Sequence, residues 1–373
     1  MKKKILFHIN SMGKGGAERV VSILTKYFAE DGYEVVVVTL WRAEEEYALT
    51  EKVKRVNLED IWQGKQMGRL QKAVRRLWDF RKILKQEAPG LVISFCNKAN
   101  FRCAYAMTGM RTPLLTSVRN DPKVDYLPYK RAMKRMEKRA SGCVFQTPDA
   151  KACFGEAFQE KSRVIWNPID EKYLKTNEEC LQAKEIKIQK LKRDIISVGR
   201  LSRQKNQMLL LEAFNRIKEQ LPECLVKIYG EESETGTKEK LMEYLRAHEM
   251  EEQVLFMGQC SSLEKEIADA SLFVLPSDYE GMPNALMEAM VLGLPVISTD
   301  CPCGGPAELI ENEVSGILVP VGNTQELANA MLRVLQDGEL ARKLGENAKT
   351  LAEKVSPWNI YEEWKNYATE LMK

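Results

Sequence analysis

The stretch Leu272-Phe273-Val274-Leu275-Pro276 leads through a short polar turn into Glu280-Gly281-Met282-Pro283-Asn284-Ala285-Leu286-Met287-Glu288. The first five residues are an apolar run of strand length. The last five lie in a helix pattern that continues to Gly293-Leu294-Pro295, where glycine and proline stop it. A strand, a turn and a helix in this order place one carboxylate, Glu280, at the mouth of the turn. They place the other, Glu288, about a helical turn inside. Backbone N–H groups at the helix start, from Gly281, Met282, Asn284 and Ala285 around Pro283, lie between the two acids. Carboxylates accept from vicinal hydroxyls and helix-start amides face phosphate, so the arrangement suits a sugar nucleotide. Read without function, the two acids simply favour the dipole at a helix start.

The alternation of strand and helix extends along the chain. In the first half Ile5–Ile9, Glu34–Leu40, Leu91–Phe95, Leu114–Val118 and Gly142–Gln146 read as strands. Ala17–Asp31, Met67–Gln86 and Tyr129–Ala140 read as helices. The pattern restarts with strands at Asp194–Val198, Cys224–Tyr229, Val254–Met257, Leu272–Pro276, Pro295–Thr299 and Gly316–Val319. The helices between them are Gln207–Gln220, Lys238–His248, Leu263–Ala268, Asn284–Leu292 and Thr324–Leu335. Such alternation predicts an α/β chain with parallel, doubly wound sheets, and 373 residues predict two domains rather than one core. Residues 171–193, rich in Lys and Glu, read as a linker between domains at 1–170 and 194–355. An aromatic-rich helix over 356–373 has an apolar face that needs a partner.

The net charge of +3 is unevenly placed. Residues 1–170 carry 32 Lys and Arg against 19 Asp and Glu, and residues 171–373 carry 24 against 34. Part of the excess lies in Arg69–Lys85, where Leu70, Val74, Leu77, Phe80, Ile83 and Leu84 recur at helical spacing. Another part is the Lys130–Arg139 cluster. These are either core-facing helices with solvated basic faces or a docking surface for an anionic membrane. Nucleic acid is disfavoured, because no aromatics are interleaved as stacking platforms. No apolar run reaches the roughly 18 residues that span a bilayer. Met1-Lys2-Lys3-Lys4 before Ile5–Ile9 resembles a signal peptide only superficially. The run is short and leads into a glycine turn, so it reads as a first buried strand of a cytoplasmic protein. Of nine Cys, only Cys301-x-Cys303 is closely spaced; it has no second pair at zinc spacing and reads as reduced thiols in a loop.

Further motifs stand in order along the chain. They are Gly13-Lys14-Gly15-Gly16-Ala17-Glu18-Arg19, Val164-Ile165-Trp166-Asn167-Pro168-Ile169-Asp170, Gly199-Arg200-Leu201-Ser202-Arg203-Gln204-Lys205 and Gly304-Gly305-Pro306-Ala307-Glu308. With Glu280-x7-Glu288, this set resembles the family 4 glycosyltransferases, retaining enzymes (hexosyltransferase type, EC 2.4) of the glycosyltransferase B fold. The resemblance implies two Rossmann-like domains facing a central cleft, with the acceptor on the first and the nucleotide sugar, most simply a UDP-sugar, on the second. It implies that the terminal helix packs back on the first domain. Arg200 and Lys205 would neutralise the departing diphosphate, Glu288 would hold the ribose diol, and Glu280 would face the donor sugar. Gly15 and Gly16 would face the nucleotide across the cleft, unless the turn is merely structural. No Asp-x-Asp is present, so no metal or other cofactor is expected.

The chain departs from the family in one place. Many members carry a His after a first-domain strand, where this chain has Leu114-Leu115-Thr116-Ser117-Val118-Arg119-Asn120-Asp121-Pro122. The variant resembles the subset that builds surface polysaccharides and lipid-linked oligosaccharides. Arg119 and Asn120 become candidates for touching donor or acceptor; the competing reading is a helix cap at Asp121-Pro122. Ser94–Asn100, at the end of a first-domain strand, could line the acceptor side. A nucleotide-sugar epimerase would want more acid/base groups than two histidines supply. A nicotinamide oxidoreductase is disfavoured by Glu18 in place of the third glycine of the fingerprint. A non-catalytic transferase-like subunit is disfavoured by the intact Arg200, Lys205, Glu280 and Glu288.

Overall fold

The computed structural model describes residues 3–62, 68–184 and 194–373. It divides into two compact units, residues 1–168 with 357–373, and residues 169–356.

The first unit is built on seven parallel strands: β1 (Lys4–His8), β2 (Glu34–Thr39), β3 (Val53–Asn57), β4 (Leu91–Phe95), β5 (Leu114–Ser117), β6 (Gly142–Phe145) and β7 (Ser162–Val164). Their order is β3-β2-β1-β4-β5-β6-β7. The inner strands are buried on both faces, so they appear in sequence as unbroken apolar runs. Strands β3 and β7 escape such a reading. They are short sheet edges carrying charge, Lys54 and Arg55 in one and Arg163 in the other, which is how edges resist pairing with other chains. The chain leaves β1 in one direction and returns at β4 on its other side. That reversal opens a crevice at the C-terminal ends of β1 and β4.

The helix Pro357–Leu371 belongs to this first unit. Its Trp364 ring stacks 5.5 Å from Phe95, and Tyr361 donates a hydrogen bond of 2.7 Å to Asp31. Tyr367 donates to the Lys161 carbonyl, with its hydroxyl 1.9 Å from where a Cβ at residue 142 would stand, so Gly142 is needed there. The basic helix is Arg69–Glu87, but only its second half is seated. Phe80, Ile83 and Leu84 are buried, whereas Leu70 and Val74, expected on the apolar face, stand 80% and 62% exposed. Of the stretch Ser94–Asn100, Ser94 and Phe95 end β4 and Asn97 opens the helix Asn97–Ala106.

The second unit holds six parallel strands: β8 (Asp194–Val198), β9 (Leu225–Tyr229), β10 (Val254–Gly258), β11 (Leu272–Leu275), β12 (Val296–Thr299) and β13 (Ile317–Val319), in the order β10-β9-β8-β11-β12-β13. Its reversal lies between β8 and β11. The expected linker 171–193 differs from the structure in its first part. Glu171–Lys184 is a helix of this unit, where Lys172 pairs with Glu264 at 2.8 Å, and the rest of that stretch lies outside the described residues.

Candidate functional site

The reversal between β8 and β11 brings three loops together. The loop after β8 carries Arg200 to Asn206, the loop after β11 carries Pro276 to Pro283, and the loop after β12 carries Asp300 to Gly304. Backbone and side-chain bonds tie the first two. Asp278 N–H donates to the Gln204 carbonyl (2.9 Å), Gln204 Nε2 to the Tyr279 carbonyl (3.0 Å), and Asn206 Nδ2 to Asp278 Oδ1 (2.7 Å). The third joins through Glu280 N–H, which donates to the Pro302 carbonyl at 3.3 Å. A Cβ at residue 305 would stand 1.7 Å from the Gly281 carbonyl oxygen, so only glycine lets the Gly304-Gly305 turn approach this closely.

At the centre is Glu280, 5% exposed. Its Oε1 accepts from Lys205 Nζ at 2.5 Å and from Ser277 Oγ at 2.7 Å. Its other oxygen takes no hydrogen bond from a described residue. Ser277 is fully buried, and its carbonyl accepts from Thr299 Oγ1, so the serine is held from behind. Lys205, 75 residues away in sequence, reaches the carboxylate with its stem packed over Gly199. An ammonium has three donors, so the bond to Glu280 leaves capacity for phosphate oxygens. Arg200 is exposed, while its carbonyl accepts from Gln207 Nε2. Glu288 is buried on the helix Asn284–Val291, which begins after Pro283, a residue with no side chain to cap it. Burial, with the Glu280 carboxylate adding to it, pushes the Cys301 thiol up to about 12, so it stays protonated beside the site. Among the described residues no group of three or more His, Cys, Asp or Glu is placed to hold a metal ion.

In the first unit Gly15 caps the helix Gly16–Glu30 without a side-chain bond. Arg119 lies over the Phe95 ring at 5.3 Å and donates to Ser117 Oγ (3.3 Å) and to Asn167 Oδ1, which also accepts from Gln146. Burial draws its guanidinium down to about 10. Asn120 bonds to Asp125. Asp121 accepts from Lys123 N–H at 2.8 Å with Pro122 at the first helical position, so the capping geometry is present beside Arg119.

The sequence singled out Lys205 and Glu280 without pairing them, and it missed Ser277, Gln204 and Asp278. Asn206 carried a readable signal, an Asn directly before a helix pattern, and it does cap Gln207–Ile217.

A family model described as glycosyl transferases group 1 matches residues 181–351, and one described as glycosyltransferase family 4 matches residues 14–173. The chain is 24% identical over 373 residues, 99% of each chain, to the Campylobacter jejuni GalNAc-alpha-(1->4)-GalNAc-alpha-(1->3)-diNAcBac-PP-undecaprenol alpha-1,4-N-acetyl-D-galactosaminyltransferase. It is 25% identical to the amylovoran biosynthesis glycosyltransferase AmsD of Erwinia amylovora, over 91% of this chain and 92% of that one. In fold it is similar to Anabaena HepE in complex with UDP and glucose, with TM-score 0.79 and 20% identity, over 98% of this chain and 99% of that one.

Proposed function

Since the chain belongs to the family 4 glycosyltransferases, we propose that it moves a sugar, with retention, from a UDP-sugar to a lipid-linked or polysaccharide acceptor, without a metal. The observation that carries this reading is the Lys205–Glu280 ion pair at the ends of β8 and β11, beside the helix that holds Glu288. Glu288 takes the ribose diol and Glu280 offers its uncommitted oxygen to the donor sugar. Lys205, Arg200 and the helix-start amides of Asn284 and Ala285 bear the diphosphate charge as it grows. Attack comes on the face the diphosphate leaves, and that diphosphate helps to take the acceptor proton. HepE crystallised with UDP and glucose supports the donor, and the undecaprenol-diphosphate saccharide in the name of the Campylobacter relative supports the acceptor. The basic first unit docks on an anionic membrane surface where such lipids lie.

UDP release from UDP-sugars, with and without lipid-linked saccharides, tests the reaction. Turnover persists in EDTA on this reading; abolition by EDTA with rescue by Mg²⁺ or Mn²⁺ overturns the metal-free mechanism. Glu288→Ala weakens UDP binding by about 1–3 kcal/mol in calorimetry, the range for a lost hydrogen bond to a charged group. Unchanged affinity removes Glu288 from the site.

A further inference from the structure

The crevice of the first unit, at the C-terminal ends of β1 and β4, contains a guanidinium that no role above uses. Arg102, on the helix that follows β4, donates through Nη1 to His8 Nε2 (2.7 Å) and to Asn10 Oδ1 (3.2 Å). His8 is the last residue of β1 and fully buried. An arginine has no acceptor atom, so His8 Nε2 is the acceptor and His8 Nδ1–H donates to the Val38 carbonyl at 2.8 Å. The imidazole is therefore neutral, stacked on Phe80 at 4.2 Å, and its own pKa is drawn well below the usual value by burial and then by Arg102.

Two neutral acceptors thus grip one corner of the Arg102 fork. The other edge, Nε and Nη2, donates no hydrogen bond to any described residue. No described carboxylate pairs with Arg102, and the charge near it that acts on it is a second guanidinium, Arg76. Arg76 spends its own charge on Glu59 at 2.6 Å and lies over the Trp41 and Trp62 rings. Charges in partly buried places are ordinarily paired. A planar fork with one side fixed and the Nε/Nη2 edge open fits two oxygens of a carboxylate or phosphate side by side.

We propose that this crevice binds an oxyanion of the acceptor, a phosphate or a sugar carboxylate, on the Nε/Nη2 edge of Arg102. The inference rests on the reading of the chain as a glycosyltransferase whose donor diphosphate occupies the second unit, which leaves this anion site to the other substrate. Asn10 and neutral His8 are positioning residues that fix the plane of the fork.

Arginine Nε–H resonances of the full-length protein report on this edge directly. They are recorded with UDP saturating the donor site, and Arg102 is assigned through Arg102→Lys. Sodium pyrophosphate and sodium glucuronate are titrated at ionic strength held constant with sodium chloride. A saturable shift of the Arg102 signal with either anion supports the site, and the anion that produces it names the source, phosphate or sugar carboxylate. Arg102→Lys keeps the charge and loses the fork, so calorimetry with the same anion shows about tenfold or more weaker binding while UDP affinity stays as in the wild type. A signal that moves with neither anion, or equally with chloride, overturns the proposal and leaves a hydrated arginine. UDP that fails to bind the wild type counts against the donor reading instead, whatever the Arg102 signal does.

Discussion

The two units share one architecture and differ in what they leave on the surface. Residues 1–170 are basic by 32 to 19 and residues 171–373 acidic by 24 to 34. Among the described residues, the large hydrophobics left exposed lie mostly in the first unit, including Trp41, Ile61, Leu70, Val74, Trp78 and Tyr129. Those in the second unit are Met257, Val314 and Val321. Their crevices differ too. At the β8/β11 reversal a cation and a carboxylate are paired at 2.5 Å with a serine behind them; at the β1/β4 reversal the cation is held by neutral groups. One fold thus holds a cation paired with a carboxylate in one crevice and, in the other, a cation with no carboxylate partner among the described residues. The first suits chemistry, in which preorganised groups meet charge that develops; the second suits capture of a ligand that arrives charged.

The largest effect that sharpens this contrast is expected at Lys205. Lys205→Ala removes the cation and also leaves the Glu280 carboxylate buried with only Ser277 on it. Turnover falls on the order of 10²–10³-fold, as for removal of a charge-stabilising donor, while UDP affinity falls much less, because the diphosphate charge grows in the transition state. Steady-state kinetics beside calorimetry separate the two. An equal fall in both would make Lys205 a ground-state anchor and erase the distinction between the units.

Much of this contrast was legible before the structure. The inner strands were readable because strands buried on both faces are apolar without interruption, and the ends of β8 and β11 followed from them. Lys205 and Glu280 were found through motifs, but neither periodicity nor spacing says that positions 205 and 280 meet; only the order β8-β11 in the sheet does that. Ser277 was invisible because a serine in a polar turn is what any turn carries. The His8–Arg102 pair was hidden because Asn97-Lys98-Ala99-Asn100-Phe101-Arg102-Cys103 shows no clear helical apolar stripe, so no helix was expected there. In the basic helix the 3.6-residue period was right, but period cannot tell which turns of a helix rest on the sheet and which run past its cover.

A second difference between the units is in acid stability, and it is smaller. His8 stays neutral in the folded first unit, with its pKa drawn well below 6.5 by burial and by Arg102. The unfolded chain takes up that proton below about 6.5 and the native state does not. The contribution is therefore intact above pH 6.5 and is lost as the pH falls, at about 1.4 kcal/mol per pH unit. Hydrogen exchange resolved by peptide, corrected for intrinsic rates between pH 7.5 and 5.5, reads this as faster opening of β1 and β2 than of β8 and β11 toward acid. His8→Gln, which can still accept from Arg102 and donate to the Val38 carbonyl, flattens the slope. A first unit whose protection does not change with pH would show that His8 charges without opening the sheet.

The smallest expected effect concerns where the first unit rests. Leu70, Val74 and Trp78 follow one another at four-residue steps along the helix Arg69–Glu87, 80%, 62% and 68% exposed, and Lys82 and Lys85 continue exposed beyond them. Not all of the basic excess is free to act outward. Arg76 is paired with Glu59, Arg81 donates to the carbonyls of Ala106 and Thr108, and Arg139 donates to those of Met107, Met110 and Thr112. A surface that docks on a membrane would therefore be narrower than the net charge suggests: an apolar ridge for the headgroup boundary with lysines beside it. Each lysine near an anionic surface contributes about 1 kcal/mol, or about fivefold in partitioning, attenuated by salt. Flotation of the full-length protein with anionic liposomes should thus fall about fivefold for Lys82→Gln or Lys85→Gln alone, and further when Leu70, Val74 and Trp78 are all replaced by Ser. The same ridge variant should leave UDP affinity untouched, because the proposed donor site belongs to the other unit. Equal recovery on anionic and neutral vesicles, or recovery indifferent both to salt and to the ridge variant, would reduce the helix to a solvated face and confine the contrast between the units to their crevices.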